Sequence, residues 1–335
     1  MPQAAPAVKA TPRLILAPME GLADDALRAV LTKGGAFDWC VTEFVRVTDC
    51  LLTPPHFTRI CPELLNGART ASGTPVRLQL LGAVPKLMAT NAALAATLDP
   101  FGIDLNFGCP SPQVNRNRGG AALLEEPELL QRIIAAVRAA VPPALPVTAK
   151  MRLGIRDTAY TLDCARALME GGASELVVHA RTKEDGYRPP ARWEWIARIR
   201  ETVNIPVIAN GEVWTLADYQ AIRSATGCAD VMLGRGAVAD PLLAERIRSQ
   251  CDETDQADDW PRIRPMIAEF WQRTQVKVVP QHAPGRLKQW LGMMRHRYQG
   301  AEALFTDLRP LRLPNDVDQA LLQHGVALQG RNASD

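Results

Sequence analysis

The sequence lacks the cysteine and histidine patterns that hold a structural metal. Seven cysteines are spread along the 335 residues, none in a Cys-x-x-Cys pair, and no histidine lies near another at ligand spacing. This spacing argues against a zinc site and against a disulfide framework. An odd number of thiols within apolar segments suits a reducing compartment, so we expect a cytoplasmic protein without a metal.

Long apolar runs and an excess of one charge are also missing. No stretch approaches the roughly 18 uninterrupted apolar residues of a membrane helix, and residues 1–12 lack the apolar core of a signal peptide. We expect a soluble monomer that begins with a flexible tail over residues 1–12. The 38 Lys and Arg nearly balance the 36 Asp and Glu, so any surface for a polyanion must be local.

The glycine pattern of a dinucleotide-binding Rossmann domain is absent too. That domain carries Gly-x-Gly-x-x-Gly after its first strand, whereas Pro18-Met19-Glu20-Gly21 stands here. Instead, eight short apolar runs alternate with segments of helical spacing, and eight parallel strands are the number that closes a barrel. We predict an α/β protein with a (β/α)8 TIM-barrel fold and strands at 14–19, 39–44, 76–81, 103–107, 147–151, 176–179, 207–210 and 231–234.

The charge pattern changes after residue 250. Five acids occupy residues 251–259, which predicts an exposed linker and a barrel domain over 13–250. Residues 260–300 hold eight Lys or Arg and a single acid, Glu269. We therefore predict a small basic, all-helical domain over 260–335. In it, a helix from about 284 to 298 would bury a stripe of five side chains: Leu287, Trp290, Leu291, Met294 and Tyr298.

The predicted strands end in polar residues, and in a barrel of this kind functional groups lie at the carboxyl ends of the strands. The seventh and eighth strands end in Asn210-Gly211-Glu212 and Gly234-Arg235-Gly236. Glycines there bring backbone N–H groups close to a ligand, and Arg235 supplies a forked cation. Either turn alone is explained by chain reversal, but together on adjacent strands they favour a phosphate site.

Lys150 ends a strand of apolar neighbours. Burying a lone ammonium is costly unless an anion meets it. Reduced flavin is such an anion, and a pairing with a barrel carboxylate such as Glu20 or Glu212 is the open alternative. His179 has no partners at metal-ligand spacing, so we expect it to hydrogen-bond a phosphate.

Cys109 differs from the other cysteines in its surroundings. Gly108 before it and Pro110 after it predict a sharp turn at the mouth of the fourth strand, which could aim the thiol into a cleft. A thiol with an ordinary pKa of about 8.5 still holds its proton at neutral pH. Cys109 is thus either a structural thiol or a general acid.

The chain resembles the tRNA-dihydrouridine synthases along nearly its whole length. The resemblance is carried by Ala17-Pro18-Met19-Glu20-Gly21, Thr42-Glu43-Phe44-Val45-Arg46, Asn106-Phe107-Gly108-Cys109-Pro110, Val207-Ile208-Ala209-Asn210-Gly211-Glu212 and Leu233-Gly234-Arg235-Gly236. Met-Glu-Gly, Thr-Glu-Phe-Val-Arg-Val and Lys288-Gln289-Trp290-Leu291-Gly292 are most similar to the bacterial branch that modifies position 16.

The resemblance implies an FMN-bound barrel, reduced by NADPH, that reduces the C5–C6 bond of a tRNA uridine. Hydride would go to C6, and Cys109 would protonate C5. Lys150 would stabilise negative charge on the flavin, and Gln79 would hydrogen-bond the ring. The implied cofactor-binding residues are Pro18, Met19, Glu20, Gln79, Lys150, His179, Asn210, Gly211, Glu212, Gly234 and Arg235.

A flipped base needs cations for the RNA backbone and polar groups for the base. From the strand ends and the predicted basic helix we expect tRNA contacts at Arg46, Asn106, Arg152, Arg286, Lys288 and Arg295. Arg116 and Arg118 depart from the glycine expected in the position-16 branch, and either grip phosphates or are solvated. The rival interpretations are an FMN barrel acting on a free pyrimidine or other small molecule, and a silent RNA-binding barrel.

Overall fold

A closed parallel barrel occupies the first part of the chain. In the computed structural model, which describes residues 11–251 and 256–328, eight strands pair in sequence order and the first strand closes the ring against the eighth. The predicted (β/α)8 barrel is confirmed. The strands are β1 (Leu14–Leu16), β2 (Trp39–Arg46), β3 (Val76–Leu81), β4 (Ile103–Phe107), β5 (Val147–Arg152), β6 (Leu176–His179), β7 (Val207–Asn210) and β8 (Val231–Leu233).

Strand β1 ends earlier than predicted. The N–H of Ala17 donates to Leu233 O at 2.8 Å, but Pro18 has no N–H with which to extend the ladder. The chain therefore leaves the sheet there, and Pro18, Met19 and Glu20 lie at the mouth of the barrel.

Helices alternate with the strands of the barrel, and every element described after β8 is a helix. Within the described residues the α-helices are α1 (Asp25–Leu31), α2 (Pro54–Ile60), α3 (Pro85–Ala96), α4 (Pro112–Arg116), α5 (Pro127–Ala140), α6 (Thr161–Glu170), α7 (Trp193–Thr202), α8 (Leu216–Thr226), α9 (Arg235–Ala239), α10 (Leu243–Ser249), α11 (Gln256–Lys277), α12 (Ala283–Met294), α13 (Gln299–Leu308) and α14 (Pro314–Gln323). Short 3₁₀ helices lie at Pro62–Asn66 and Gly120–Glu125. Among these helices none is long and apolar enough to span a membrane.

The barrel interior is apolar on one side and polar on the other. One buried cluster contains Ile15, Ala17, Trp39, Val41, Val177, Ile208 and Met232. On the side of β3 to β5, Asp104 accepts hydrogen bonds from Thr148 Oγ1 at 2.6 Å and from Gln79 Nε2 at 2.7 Å. Gln79 Oε1 in turn accepts from Asn106 Nδ2 at 2.8 Å. This buried network rigidifies the floor below the mouth of the barrel.

The C-terminal helices confirm part of the sequence prediction and correct another part. The predicted stripe of Leu287, Trp290, Leu291, Met294 and Tyr298 is buried, on and just after α12. The predicted exposed linker over 251–259 is wrong at Asp259, which is part of α11 and is buried against Arg246. A run of acidic residues predicts a solvated segment, but Asp259 of this run pairs with the buried Arg246. Residues 252–255 of the predicted linker and residues 1–10 of the predicted tail over 1–12 lie outside the described residues.

The helical domain is fixed to the barrel through Asp240. Tyr298 Oη donates to Asp240 Oδ1 at 2.6 Å, and Arg297 Nη2 lies 3.0 Å from Asp240 Oδ2. Arg246 of α10 pairs with the same carboxylate. The carboxylate is buried and therefore needs these partners.

Candidate active site

A cleft opens at the carboxyl ends of the strands. Its empty space, including the open mouth, is about 860 Å³, a size typical of a cofactor site. Of the eleven residues predicted to bind the cofactor, all except Gln79 line it: Pro18, Met19, Glu20, Lys150, His179, Asn210, Gly211, Glu212, Gly234 and Arg235. The side chain of Gln79 is fully buried in the network with Asp104 and Asn106.

Three glycines shape the end of the cleft formed by β6, β7 and β8. A Cβ at Gly236 would lie 2.0 Å from Val213 O, and one at Gly211 would lie 2.9 Å from His179 Cδ2. Gly211 also has a φ of +120°, which favours glycine. At Gly234 an added Cβ would instead point between Ala17 and Met19, two residues of the cleft wall, so a side chain there would fill ligand space.

The same end of the cleft carries aromatic residues that the sequence analysis did not single out. The guanidinium carbon of Arg235 lies 4.2 Å from the ring centre of Tyr187 and 5.3 Å from that of Trp214. Tyr187 is 52 % exposed, and the guanidinium carbon of Arg152 also lies 5.3 Å from the centre of its ring. Both rings lie on loops beyond the strand ends, and the strand pattern of the sequence does not indicate them.

Buried and half-buried cations dominate the centre of the cleft. Lys150 donates Nζ–H to Asn210 Oδ1 at 3.0 Å, and no ion pair joins its ammonium to a carboxylate in the described part of the chain. Burial, followed by the charge of Arg152, lowers the pKa of Lys150 to about 8. The alternative pairing with Glu20 or Glu212 is therefore wrong. Glu212 pairs with Arg181 instead.

His179 lies among these cations and is buried. Burial is the main reason why its pKa is well below the ordinary value, and the charges of Arg152 and Lys150 add to the effect. The imidazole is thus neutral at pH 7. A neutral ring can offer one N–H donor to an oxygen of a bound ligand.

Cys109 lies at the edge of the cleft. Gly108 and Pro110 line the cleft on either side of it, while the Cys109 side chain is 8 % exposed and packs against Leu81 and Val114. Burial raises the pKa of its thiol, so the thiol keeps its proton at neutral pH. The loop that carries it is held by Asn115 Nδ2, which donates to Cys109 O at 2.9 Å.

Glu20 is the carboxyl group at the rim of the cleft. Burial raises its pKa to about 7, and the negative charge of Glu43 contributes. In the described residues, no group of three or more His, Cys, Asp or Glu side chains is arranged to hold a metal ion.

The predicted RNA contacts on the barrel have partners within the protein. Arg152 is buried and donates to the carbonyls of Gly108 at 3.0 Å, Thr182 at 2.8 Å and Gly186 at 2.9 Å, so it lines the cleft rather than its outer rim. Asn106 belongs to the buried network. Arg46 is partly exposed, and its Nη2 lies 3.4 Å from Gln113 O.

The predicted RNA contacts on the helical domain are also engaged. Lys288 donates to Arg309 O at 3.1 Å and to Leu311 O, and Arg295 stacks on Phe305 at 4.8 Å. Arg286 contacts the barrel.

The two arginines of the loop after Cys109 are exposed. Arg118 pairs with Glu126 at 2.5 Å, and Arg116 Nε lies 3.4 Å from Pro112 O. Their contact with RNA remains a prediction.

Comparisons with known proteins identify the family of the chain. Residues 15–304 match the family "Dihydrouridine synthase (Dus)". The chain is 53% identical over 310 residues, 92% of its length and 98% of the relative, to the tRNA-dihydrouridine(16) synthase of Aquipseudomonas alcaligenes. It is 51% identical over 322 residues, 96% of its length and 98% of the relative, to the protein of the same name from Ralstonia nicotianae.

Solved structures with low sequence identity share the fold alone. Histamine dehydrogenase from Rhizobium sp. 4-9 superposes with a TM-score of 0.56 at 14% identity, over 78% of this chain and 48% of that one. An old yellow enzyme homologue from Zymomonas mobilis gives 0.51 at 11% identity, over 72% and 90%. The family match, which spans most of the chain, and relatives more than half identical show that this chain belongs to the dihydrouridine synthase family.

Proposed function

We propose that this chain reduces uridine to 5,6-dihydrouridine in tRNA, at position 16 of the D-loop, with FMN as the bound cofactor and NADPH as the reductant. The observation that carries the proposal is the half-buried Lys150 ammonium, which lines the cleft and forms no ion pair among the described residues. Arg152, Arg181 and Arg235 also line the cleft, and this excess of positive charge favours an anionic ligand.

The residues of the cleft suit FMN. Gly234 leaves ligand space in the wall, Arg235 offers a guanidinium, and Gly236 lines the cleft where a Cβ would strike Val213 O. These groups, with neutral His179, would hold the phosphate. Lys150 would face the electron-rich edge of the ring system. Bound FMN, once reduced by NADPH, supplies the hydride that adds to C6 of the uracil ring.

Cys109 completes the reduction as a general acid. As C6 gains hydride, C5 takes the proton of the Cys109 thiol, and water returns a proton to the sulfur. The raised pKa of this thiol means that the proton is available at neutral pH. The side chain packs beside Leu81 and Val114 at the cleft edge, and the proposed proton transfer requires it to turn toward the base; catalytic contacts often tighten only in the complex.

The target base must leave the folded RNA to reach this cleft. The Tyr187 ring, exposed beside Arg235, is suited to contact a flipped base or the ring system of the cofactor. Position 16 is supported by relatives at 51% and 53% identity that carry this number in their names.

The test supplies purified protein with FMN, NADPH and unmodified tRNA, and maps any uridine that gains two hydrogens by mass spectrometry. Free uracil and dihydroorotate are assayed in parallel. Reduction at position 16 of the tRNA is the expected result. Turnover of a free pyrimidine with no change in the tRNA would refute the proposal in favour of a small-molecule oxidoreductase.

A further inference from the structure

Helix α12 of the helical domain forms hydrogen bonds with a turn of the barrel. Arg286 Nη1 donates to Gly21 O at 2.6 Å, and Nη2 donates to Leu22 O at 3.0 Å and lies 2.9 Å from Asp24 Oδ2. Gln289 Nε2 donates to the same Gly21 O at 2.9 Å. Two side chains one turn apart on α12 thus hold the backbone between β1 and α1.

This turn is part of the cleft wall. Pro18, Met19 and Glu20 line the cleft immediately before Gly21. From the opposite side, Gly21 N–H donates to Glu43 Oε1 at 2.5 Å. An added Cβ at Gly21 would meet no atom within 4 Å, so hydrogen bonds, rather than packing, fix this point of the wall.

The same helix supports the neighbouring wall. Trp290 is buried and donates Nε1–H to Val238 O at 3.0 Å. Val238 belongs to α9, whose first residues, Arg235 and Gly236, line the cleft. Because β1 and β8 are adjacent in the barrel, one face of α12 braces the elements that follow both strands.

We propose that Arg286, assisted by Gln289, is a positioning residue that makes cofactor retention depend on the helical domain. The proposal rests on FMN as the ligand of the cleft. The side chain of Arg286 is only 19% exposed, and its guanidinium is directed at two carbonyls and a carboxylate of the barrel. These contacts engage both Nη groups within the protein, so they compete with binding of an RNA phosphate.

FMN itself is the probe in the test. Apo-proteins carrying Arg286→Ala, Gln289→Ala or Arg286→Lys are titrated with FMN by fluorescence quenching, and tRNA affinity is measured separately on FMN-saturated protein. Lys33→Ala is the matched control, because the Lys33–Glu269 pair at 2.6 Å joins the same two domains and neither residue lines the cleft. Gln289→Ala removes the hydrogen bond to Gly21 O and the one that Gln289 Oε1 accepts from Arg286, and it keeps the test valid if Arg286→Ala fails to fold.

We expect the Kd for FMN to rise about tenfold in Arg286→Ala, a loss of about 1.4 kcal/mol in binding, because the turn loses its charged hydrogen bonds to α12 and retains its Glu43 contact. The Kd of Arg286→Lys should lie between those of the wild type and Arg286→Ala. Gln289→Ala should show a smaller rise in Kd than Arg286→Ala, and Lys33→Ala should match the wild type. The tRNA affinity of saturated protein should change little.

Unchanged FMN affinity in Arg286→Ala and Gln289→Ala, with a salt-dependent loss of tRNA affinity, would make Arg286 an RNA contact and overturn the inference. An equal loss of FMN in Lys33→Ala would also overturn it, because any loosening of the domain would then suffice. If the titrations behave as expected but wild-type protein leaves tRNA unreduced, the proposed substrate falls and the positioning role stands. If the wild-type protein does not bind FMN, both the proposed function and the positioning role of Arg286 are refuted.

Discussion

Replacing Lys150 with methionine should stabilise the protein without its cofactor and impair its function. Folding brings the ammonium into a place where its pKa falls from 10.5 to about 8. At about 1.4 kcal/mol for each pKa unit, the charge costs the folded state at most about 3.5 kcal/mol, and water in the cleft reduces that figure. Methionine has a similar length and no charge.

The net change follows from two opposing contributions. Lys150→Met removes the cost of the buried charge but loses the hydrogen bond to Asn210, which contributes about 1 kcal/mol. The free energy of unfolding of the apo-variant at pH 7 should therefore exceed that of the wild type by about 1–2 kcal/mol.

The difference should depend on pH in a defined direction. Because the folded-state pKa of Lys150 is lowered, the unfolded chain binds more protons between pH 8 and 10.5, and wild-type stability recovers as pH rises through this window. The advantage of Lys150→Met is therefore complete below pH 8 and shrinks toward pH 10.

Urea denaturation of apo-protein at pH 7 and pH 9.5 measures this effect, with the exposed Lys86→Met on α3 as the control for a change of net charge. FMN titration and tRNA reduction are measured on the same samples. A variant less stable than the wild type at pH 7, or one that keeps full FMN affinity and turnover, would show that Lys150 is not an uncompensated cation waiting for an anion.

Three further outcomes are expected. Cys109→Ala should keep its yellow FMN and its tRNA affinity, while single-turnover dihydrouridine formation falls about 10²-fold or more, as for loss of a general acid; equal loss of FMN would make the residue structural. Gly236→Ala places a Cβ against Val213 O, so the FMN Kd should rise at least tenfold and the urea midpoint should fall; wild-type titrations would contradict this geometry. Asp240→Asn removes the carboxylate that pairs with buried Arg246 and should lower the free energy of unfolding by about 3–5 kcal/mol, which urea denaturation would contradict by showing a change below 1 kcal/mol.

The sequence predicts the barrel well because the apolar runs of the strands and the helical spacing between them are both local patterns. Runs rich in Val, Leu and Ile at 76–81, 103–107, 176–179 and 207–210 coincide with β3, β4, β6 and β7, since strands buried on both faces are mostly apolar. Strand β1 is shorter than its apolar run because the missing N–H of Pro18 ends the ladder, a covalent property that outweighs hydrophobicity.

The site was predictable to the extent that it lies on strand ends. Lys150, His179 and Asn210 follow directly from their positions at the ends of β5, β6 and β7. The depth of a side chain was less predictable: Gln79 and Arg152 also lie on strands, yet both are committed to buried hydrogen bonds. Tyr187 lies on a loop whose path depends on contacts from distant parts of the chain.

The role of Arg286 could not be read from its helix. Sequence spacing places it correctly beside an apolar stripe, where a cation ordinarily faces solvent. Its contacts with Gly21 and Asp24 arise only from docking of the helical domain on the barrel, across more than 260 positions of the chain.

The pairing of β1 with β8 also sets the order in which the protein can mature on the ribosome. Arg13 binds Asp230 across 217 positions, so the nascent chain keeps an open sheet with two unpaired edges until residue 233 has emerged. Such edges invite association with other chains. Helix α12 emerges later still, so products shortened before α12 should bind FMN more weakly than the full chain.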